Sequence, residues 1–196
     1  FLEQVREVTE SETVLVHCWR GGMRSSKFAE LLNEYGYKTH TLARGYKAYR
    51  NFVLKSFESN AILPVRQAGI IIIGGETGSG KTEILKNISE RGEQVIDLEA
   101  LANHKGSAFG SLGEKSQPTQ EQFENNLSHA LCSLDLSKRI WMEDESRSIG
   151  RMQLPNPIWE KMKQAPILRI NFPKELRIER LMKDYGKFSK EELATC

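Results

Sequence analysis

Cysteine is scarce in this chain: only Cys18, Cys132 and Cys196 occur among 196 residues. An odd number, with no Cys-x-x-Cys pair and no His–Cys cluster at ligand spacing, argues against a disulfide framework and a zinc site, and no haem is expected. Long apolar runs are missing too. The longest, around Ile70 to Ile73, falls far short of the ~20 residues of a membrane span, and no basic-then-apolar leader opens the chain, so a cytoplasmic protein without membrane partners is expected. Excess charge of one sign is also lacking: 28 Lys and Arg against 26 Asp and Glu give +2 and a pI near 8.4. Nucleic-acid-binding domains commonly exceed a pI of about 9, so charge neither demands RNA nor excludes it. The first residue is Phe1 rather than methionine, and Ser189 to Glu192 looks like the start of a helix just before the end. The chain therefore reads as a piece of a longer one.

What is present is a globular composition, 39% hydrophobic and 28% charged, enough for one good core or two modest ones. Thr13 to Cys18 has the pattern of a short buried strand. Ser25 to Tyr35 is helical by the spacing of Phe28, Leu31, Leu32 and Tyr35. A second strand at Thr39 to Leu42 and a helix from Tyr46 to Phe57 follow. Residues 59–67, with Asn60 and Pro64 and no period, form the expected linker between a domain at 1–58 and another at 68–196. Beyond it the order is strand (Gly69 to Gly74), helix (Lys81 to Glu90), strand (Glu93 to Leu98), a helix capped by Thr119 and Gln122, strands at Arg139 to Glu143 and Ile167 to Phe172, and a helix from Lys174 to Tyr185. That alternation predicts an α/β fold with a doubly wound parallel sheet.

Gly75-Glu76-Thr77-Gly78-Ser79-Gly80-Lys81-Thr82 matches the P-loop pattern G-x-x-x-x-G-K-[ST] between an apolar strand and a helix, as its mechanism requires. Glycines at Gly75, Gly78 and Gly80 let backbone N–H groups converge on a phosphate, to which the helix N-terminus adds partial positive charge. Lys81 would neutralise the outer phosphate, and the Thr82 hydroxyl is placed to join a Mg²⁺ shell. Strand-end carboxylates Glu143 and Asp144, with Asp97 and Glu99 on the neighbouring strand, should face the same crevice. Arg147, Arg151, Arg177 and Arg180 carry the charge to clamp an anion, although such arginines are more often plain surface charge.

Cys18-Trp19-Arg20-Gly21-Gly22-Met23-Arg24 runs from a strand end into a helix N-terminus, a setting that lowers a thiol's pKa from about 8.5 and makes Cys18 a nucleophile, with Arg20 and Arg24 expected to contribute. His17 points away by strand alternation and is a poor base. The spacing His17-Cys18-x5-Arg24-Ser25 also suits cysteine-dependent phosphatases, and the same cradle suits a cysteine-bound persulfide or perselenide, so the loop alone leaves both open.

Taken together, HCWRGGMRSS at His17 to Ser26, ARGYKAYR at Ala43 to Arg50 and GGETGSGKTEIL at Gly74 to Leu85 closely resemble the bacterial tRNA 2-selenouridine synthase family. VIDLEALANHKGSAFG at Val95 to Gly110, QPTQEQFEN at Gln117 to Asn125 and EDESRSIG at Glu143 to Gly150 also look like that family. The resemblance implies a rhodanese-like domain, here its C-terminal half, joined to a P-loop domain that is incomplete at its C-terminus. It further implies an enzyme that replaces sulfur by selenium in the wobble 2-thiouridine of tRNA, with geranyl diphosphate and selenophosphate as co-substrates. Geranyl diphosphate would alkylate the sulfur, and Cys18 would then deliver selenium as a perselenide. The rival readings are a P-loop kinase or NTPase fused to a sulfur-carrier or cysteine-phosphatase domain, and a tRNA-binding module that uses Lys38, Arg44, Lys47, Arg50 and Lys55.

Overall fold

The structure, a computed structural model, describes residues 2–58, 69–135 and 137–194. The expected linker at 59–67 lies outside them. By its internal contacts the chain divides into two units, Phe1–Lys55 and Ser56–Cys196.

In the first unit, α1 (Leu2–Val8) leads to β1 (Thr13–Val16), α2 (Met23–Glu34), β2 (Lys38–Thr41) and α3 (Gly45–Glu58), the last ending in the second unit. Parallel strands need a long crossover, and α2 supplies it: β1 and β2 pair in parallel, Thr13 opposite Lys38 and Val16 opposite Thr41. Val16, Ala29 and Leu32 form the small core, with Val5, Val14 and Tyr37 packed against it. The strands are shorter than the sequence suggests, because β1 ends at Val16 and leaves His17 and Cys18 in the loop above the sheet.

The second unit contains β3 (Ile70–Gly74), α4 (Lys81–Glu90), β4 (Gln94–Ile96), α5 (Leu98–Ala102), α6 (Gln120–Cys132), β5 (Ile140–Glu143), β6 (Ser148–Ile149), β7 (Met152–Gln153), α7 (Asn156–Gln164), β8 (Ile167–Arg169), α8 (Lys174–Tyr185) and α9 (Lys190–Ala194). Four strands make one parallel sheet in the order β4-β5-β3-β8. Strand β3 is flanked on both sides, which accounts for its unbroken isoleucine run. From β3 the chain moves to one edge, then returns past β3 to the other. Right-handed crossovers then put α4 on one face and α6 and α7 on the other. The reversal opens a crevice at the C-terminal end of β3, where the P-loop lies. Ile72, Ile96, Ile140 and Met142 from the sheet, Leu85 from α4 and Phe123, Leu127 and Leu131 from α6 are buried in the core.

Two expectations are corrected here. The strand expected to reach Leu98 stops at Ile96, because Asp97 caps α5 by accepting a hydrogen bond from the Ala100 N–H at 2.7 Å. Only half of the capping box at Thr119 forms. Thr119 Oγ1 accepts from Gln122 N at 3.2 Å, while the Gln122 side chain turns to Asn126 at 2.8 Å.

Candidate functional site

Around Cys18, backbone conformation does most of the positioning. Gly21 and Gly45 both lie in the left-handed region, at φ +59° and +64°, and pack backbone against backbone: a Cβ on Gly21 would run into Gly45 N, and one on Gly45 into Cys18 O. Carbonyls of Cys18 and Trp19 accept the N–H groups of Tyr46 and Lys47, both at 2.9 Å, so the start of α3 holds the loop from behind. His17 stacks on Tyr46 with ring centroids 5.8 Å apart. It lies beyond the end of β1 and lines the Cys18 cavity, so strand alternation does not set its direction.

The half-buried Cys18 thiol has its pKa lowered to about 6. The main cause is the Ser25 hydroxyl, 3.4 Å from Sγ, followed by the backbone N–H of Gly22, with those of Ser25 and Gly21 adding to it. Arg20 and Arg24, expected from the sequence to contribute, are not among the causes. Arg24 does line, with Ser25 and Phe28, the cavity of about 450 Å³ into which Cys18 opens. Arg20 is exposed and contributes backbone beside Gly45. Ser25 falls within the cysteine motif, but its role depends on the first turn of α2 bringing it back to the sulfur.

In the P-loop, Gly78 and Gly80 take positive φ, +81° and +86°. Lys81 Nζ spans the loop to donate to Gly75 O at 2.8 Å. The Ser79 hydroxyl is buried with no hydrogen-bond partner among the described residues. Residues Thr77 to Glu83 line a cavity of about 450 Å³ together with Glu99, Lys105, Glu145 and Arg180. Helix α8 packs on the loop: Arg177 pairs with Glu76 at 2.8 Å, and Arg180 pairs with Glu83 at 3.0 Å while covering the Phe172 ring. Two of the four arginines weighed from the sequence thus reach the phosphate loop. Arg147 is exposed and does not line this cavity, and Arg151 lines a different one.

Beneath the loop, Thr82 Oγ1 lies 3.2 Å from Glu99 Oε2 and 3.3 Å from Glu143 Oε1. One hydroxyl carries one proton, so both contacts are satisfied when a carboxyl group supplies the second. Glu143 is that group: fully buried and close to Glu99, Asp97 and Glu145, it is pushed up to about 9 by burial first and by those carboxylates next. Burial and Glu99 likewise push Glu145 up to about 7, and burial raises Glu99. Oxygens of Glu99, Glu143 and Glu145 all fall within 4.8 Å of one another. Asp144 is exposed, and Asp97 spends its carboxylate on the α5 cap.

The sequence model described as "tRNA 2-selenouridine synthase AAA domain" matches residues 68–195. This chain belongs to that family. Among curated relatives, the tRNA 2-selenouridine synthase of Serratia proteamaculans is 40% identical over 172 residues, 87% of this chain and 44% of the relative. That of Shewanella frigidimarina is 41% identical over 172 residues, with the same coverage. The chain thus spans somewhat under half the length of these synthases. A solved structure, TT1252 from Thermus thermophilus, aligns at a TM-score of 0.40 and 21% identity over 66% of this chain and 78% of that one, a likeness too loose to argue from. Within the family domain, Glu145 and Lys105 are cavity residues that sequence reasoning did not single out for the site. Glu145 sits in the acidic segment after β5, a signal that was available. Among the described residues no helix is long and apolar enough to cross a membrane.

Proposed function

We propose that this chain is part of a tRNA 2-selenouridine synthase, a selenotransferase that converts wobble 2-thiouridine to 2-selenouridine, and that each unit serves one half-reaction. The observation that carries the reading is the family match over residues 68–195. Residues 1–58 would be part of a rhodanese-like domain, residues 68–196 the P-loop domain and 59–67 the link between them.

In the P-loop domain, the thiocarbonyl sulfur of 2-thiouridine attacks the first carbon of geranyl diphosphate; the carbon–oxygen bond breaks and diphosphate leaves with the electron pair. Charge develops on the leaving group, where the loop N–H groups, Lys81 and the α4 N-terminus would stabilise it. The unpartnered Ser79 hydroxyl is a further donor for an oxyanion. Hard oxygen donors at Thr82, Glu99, Glu143 and Glu145 fit Mg²⁺, which when bound would neutralise diphosphate charge.

In the rhodanese-like domain, the cradle that holds Cys18 as a thiolate also suits a terminal anionic selenium on that sulfur. Selenophosphate carries selenium at the selenide level, so a Cys18 perselenide needs a two-electron acceptor of the disulfide class. The perselenide attacks carbon 2 and the geranyl thiolate departs; a thiol then attacks the Cys18 sulfur, selenium leaves on the uridine with the bonding pair, and a second thiol releases Cys18 from the mixed disulfide, returning the two electrons.

The test is nucleoside mass spectrometry of 2-thiouridine tRNA incubated with the intact protein, geranyl diphosphate and selenophosphate, omitting one donor at a time. Selenouridine with both donors and S-geranyl-2-thiouridine without selenophosphate are expected; Cys18→Ser should stop at the geranylated nucleoside and Lys81→Ala before it. Unchanged 2-thiouridine throughout, with ATP turnover, would overturn the reading in favour of a kinase or NTPase.

A further inference from the structure

A second cavity in the family domain, of about 500 Å³, is lined by His104, Glu114, Lys115, Gln117, Gly150 and Arg151, none of which the chemistry above uses. It is assembled from three stretches that are distant in sequence: the turn after α5, the segment before α6 and the β6–β7 hairpin.

Gln117 ties them together. Its Nε2 donates to Ala102 O at 3.0 Å and to Ile149 O at 3.1 Å, and its Oε1 accepts from Arg151 N at 2.8 Å. Such a three-way clamp fixes the wall from protein groups alone. His104 is seated between two glycines: a Cβ on Gly110 would come within 2.6 Å of its Cε1, and one on Gly150 within 2.7 Å of its Cδ2. Gly150 also holds φ +57°, which favours glycine at the hairpin turn. His104 Nδ1 accepts from Gly106 N at 3.2 Å, so the neutral ring carries its proton on Nε2, a donor with no recorded partner among the described residues. Burial, the main influence on this ring, favours that neutral form.

The charge balance has one sign. The carboxylate of the lining, Glu114, is already neutralised by Lys105 at 3.1 Å. Lys115 and Arg151 make no recorded ion pair among the described residues, and both are exposed at the cavity. A guanidinium fork, an ammonium and a neutral N–H around a prebuilt wall match a tetrahedral oxyanion better than a cation or an apolar group. We propose that this cavity is a binding site for a phosphate group, separate from the P-loop. On the function proposed above, on which the choice of RNA as source rests, that phosphate is a backbone phosphodiester of the tRNA. The Lys105–Glu114 pair connects the two cavities, since Lys105 lines the P-loop cavity and Glu114 this one. A nucleotide gripped here would be held beside the diphosphate.

The experiment measures binding of 2-thiouridine tRNA to the intact protein across a salt series, for wild type, Arg151→Ala and Lys115→Ala. In parallel, inorganic phosphate is titrated with the P-loop saturated by inorganic diphosphate. For an RNA phosphate, each substitution should weaken tRNA binding several-fold and flatten the plot of log affinity against log salt by about 0.7–0.9, the contribution of one phosphate contact. For a free phosphate group, the titration should lose its signal in Arg151→Ala while the tRNA slope stays unchanged, which keeps the site and replaces its source. Unchanged values in both arms overturn the proposal. Wild-type protein that binds phosphate but no tRNA would sink the tRNA reading of function and leave the cavity assignment standing.

Discussion

The Ser25 hydroxyl stands 3.4 Å from Cys18 Sγ and 3.0 Å from Gly22 O, so its single proton has two acceptors to choose between. When the sulfur is a thiol, the O–H can go on donating to the Gly22 carbonyl; when it is a thiolate, donation to sulfur becomes a charge-assisted hydrogen bond. The hydroxyl thereby favours the ionised form. With a pKa lowered to about 6, Cys18 should alkylate with iodoacetamide at a rate that rises through pH 6 and levels off near neutrality. In Ser25→Ala the midpoint should move upward. A rise of one unit would cut the thiolate fraction at pH 6 from about one half to about one tenth. A rate profile that Ser25→Ala leaves in place would show that the loop N–H groups act alone.

At Lys81, loss of a charge-assisted hydrogen bond to phosphate costs roughly 1.5–3 kcal/mol, or about one to two orders of magnitude in affinity. Isothermal titration of inorganic diphosphate into Lys81→Ala should show that loss, and Lys81→Arg should recover only part of it because the ammonium fits the loop as a point charge.

Glu143 gives a prediction for stability. Its folded-state pKa, about 9, lies above the ordinary carboxylate value of 4.5. Below pH 4.5 both states are protonated and its burial is uncharged; as pH rises toward 9, the unfolded state is ionised while the folded state must keep or lose a proton at a cost. The stability tied to this group is therefore lost as pH rises. Glu143→Gln should raise Tm at pH 8 more than at pH 5, by roughly 2–4 °C for each kcal/mol recovered. Thermal melts at the two pH values check the sign, and an equal change at both would refute it.

Gly80 opens α4 from the left-handed region, at φ +86°, with the Arg180 guanidinium against its α-carbon. Gly80→Ala should cost about 1–2 kcal/mol in backbone strain alone and push Arg180 aside, lowering Tm and diphosphate affinity together. Unaltered diphosphate affinity in a folded Gly80→Ala protein would show that the loop tolerates the displacement.

Local chemistry made part of this architecture legible in the sequence. The isoleucine run of β3, the glycines of the P-loop and Lys81 occupy consecutive positions, so spacing alone assembles them. Cys18 was legible for the same reason. Ser25 and Glu145 were not, and Arg177 and Arg180 were legible only as two of four arginines, because their roles depend on what folding brings beside them. Arg177 reaches Thr77 O from 100 positions away, and Glu145 is buried against the turn at Gly106. Asp97 has a further, local use that the sequence reading did not include: the next residue starts a helix, and its carboxylate caps it. The β6–β7 hairpin, with two residues in each strand, is too short for any periodicity to register.

The contact of Gly21 with Gly45 makes two separate stretches of sequence interdependent. Neither position can accept a side chain while the other keeps its present backbone path, so a substitution at one cannot be rescued by shrinking its neighbour, which is already the smallest residue. In a library randomised at both positions and selected for a reactive Cys18, glycine should return at the two sites together. Drift toward any other pair would have to pass through a chain whose nucleophile loop had come away from α3.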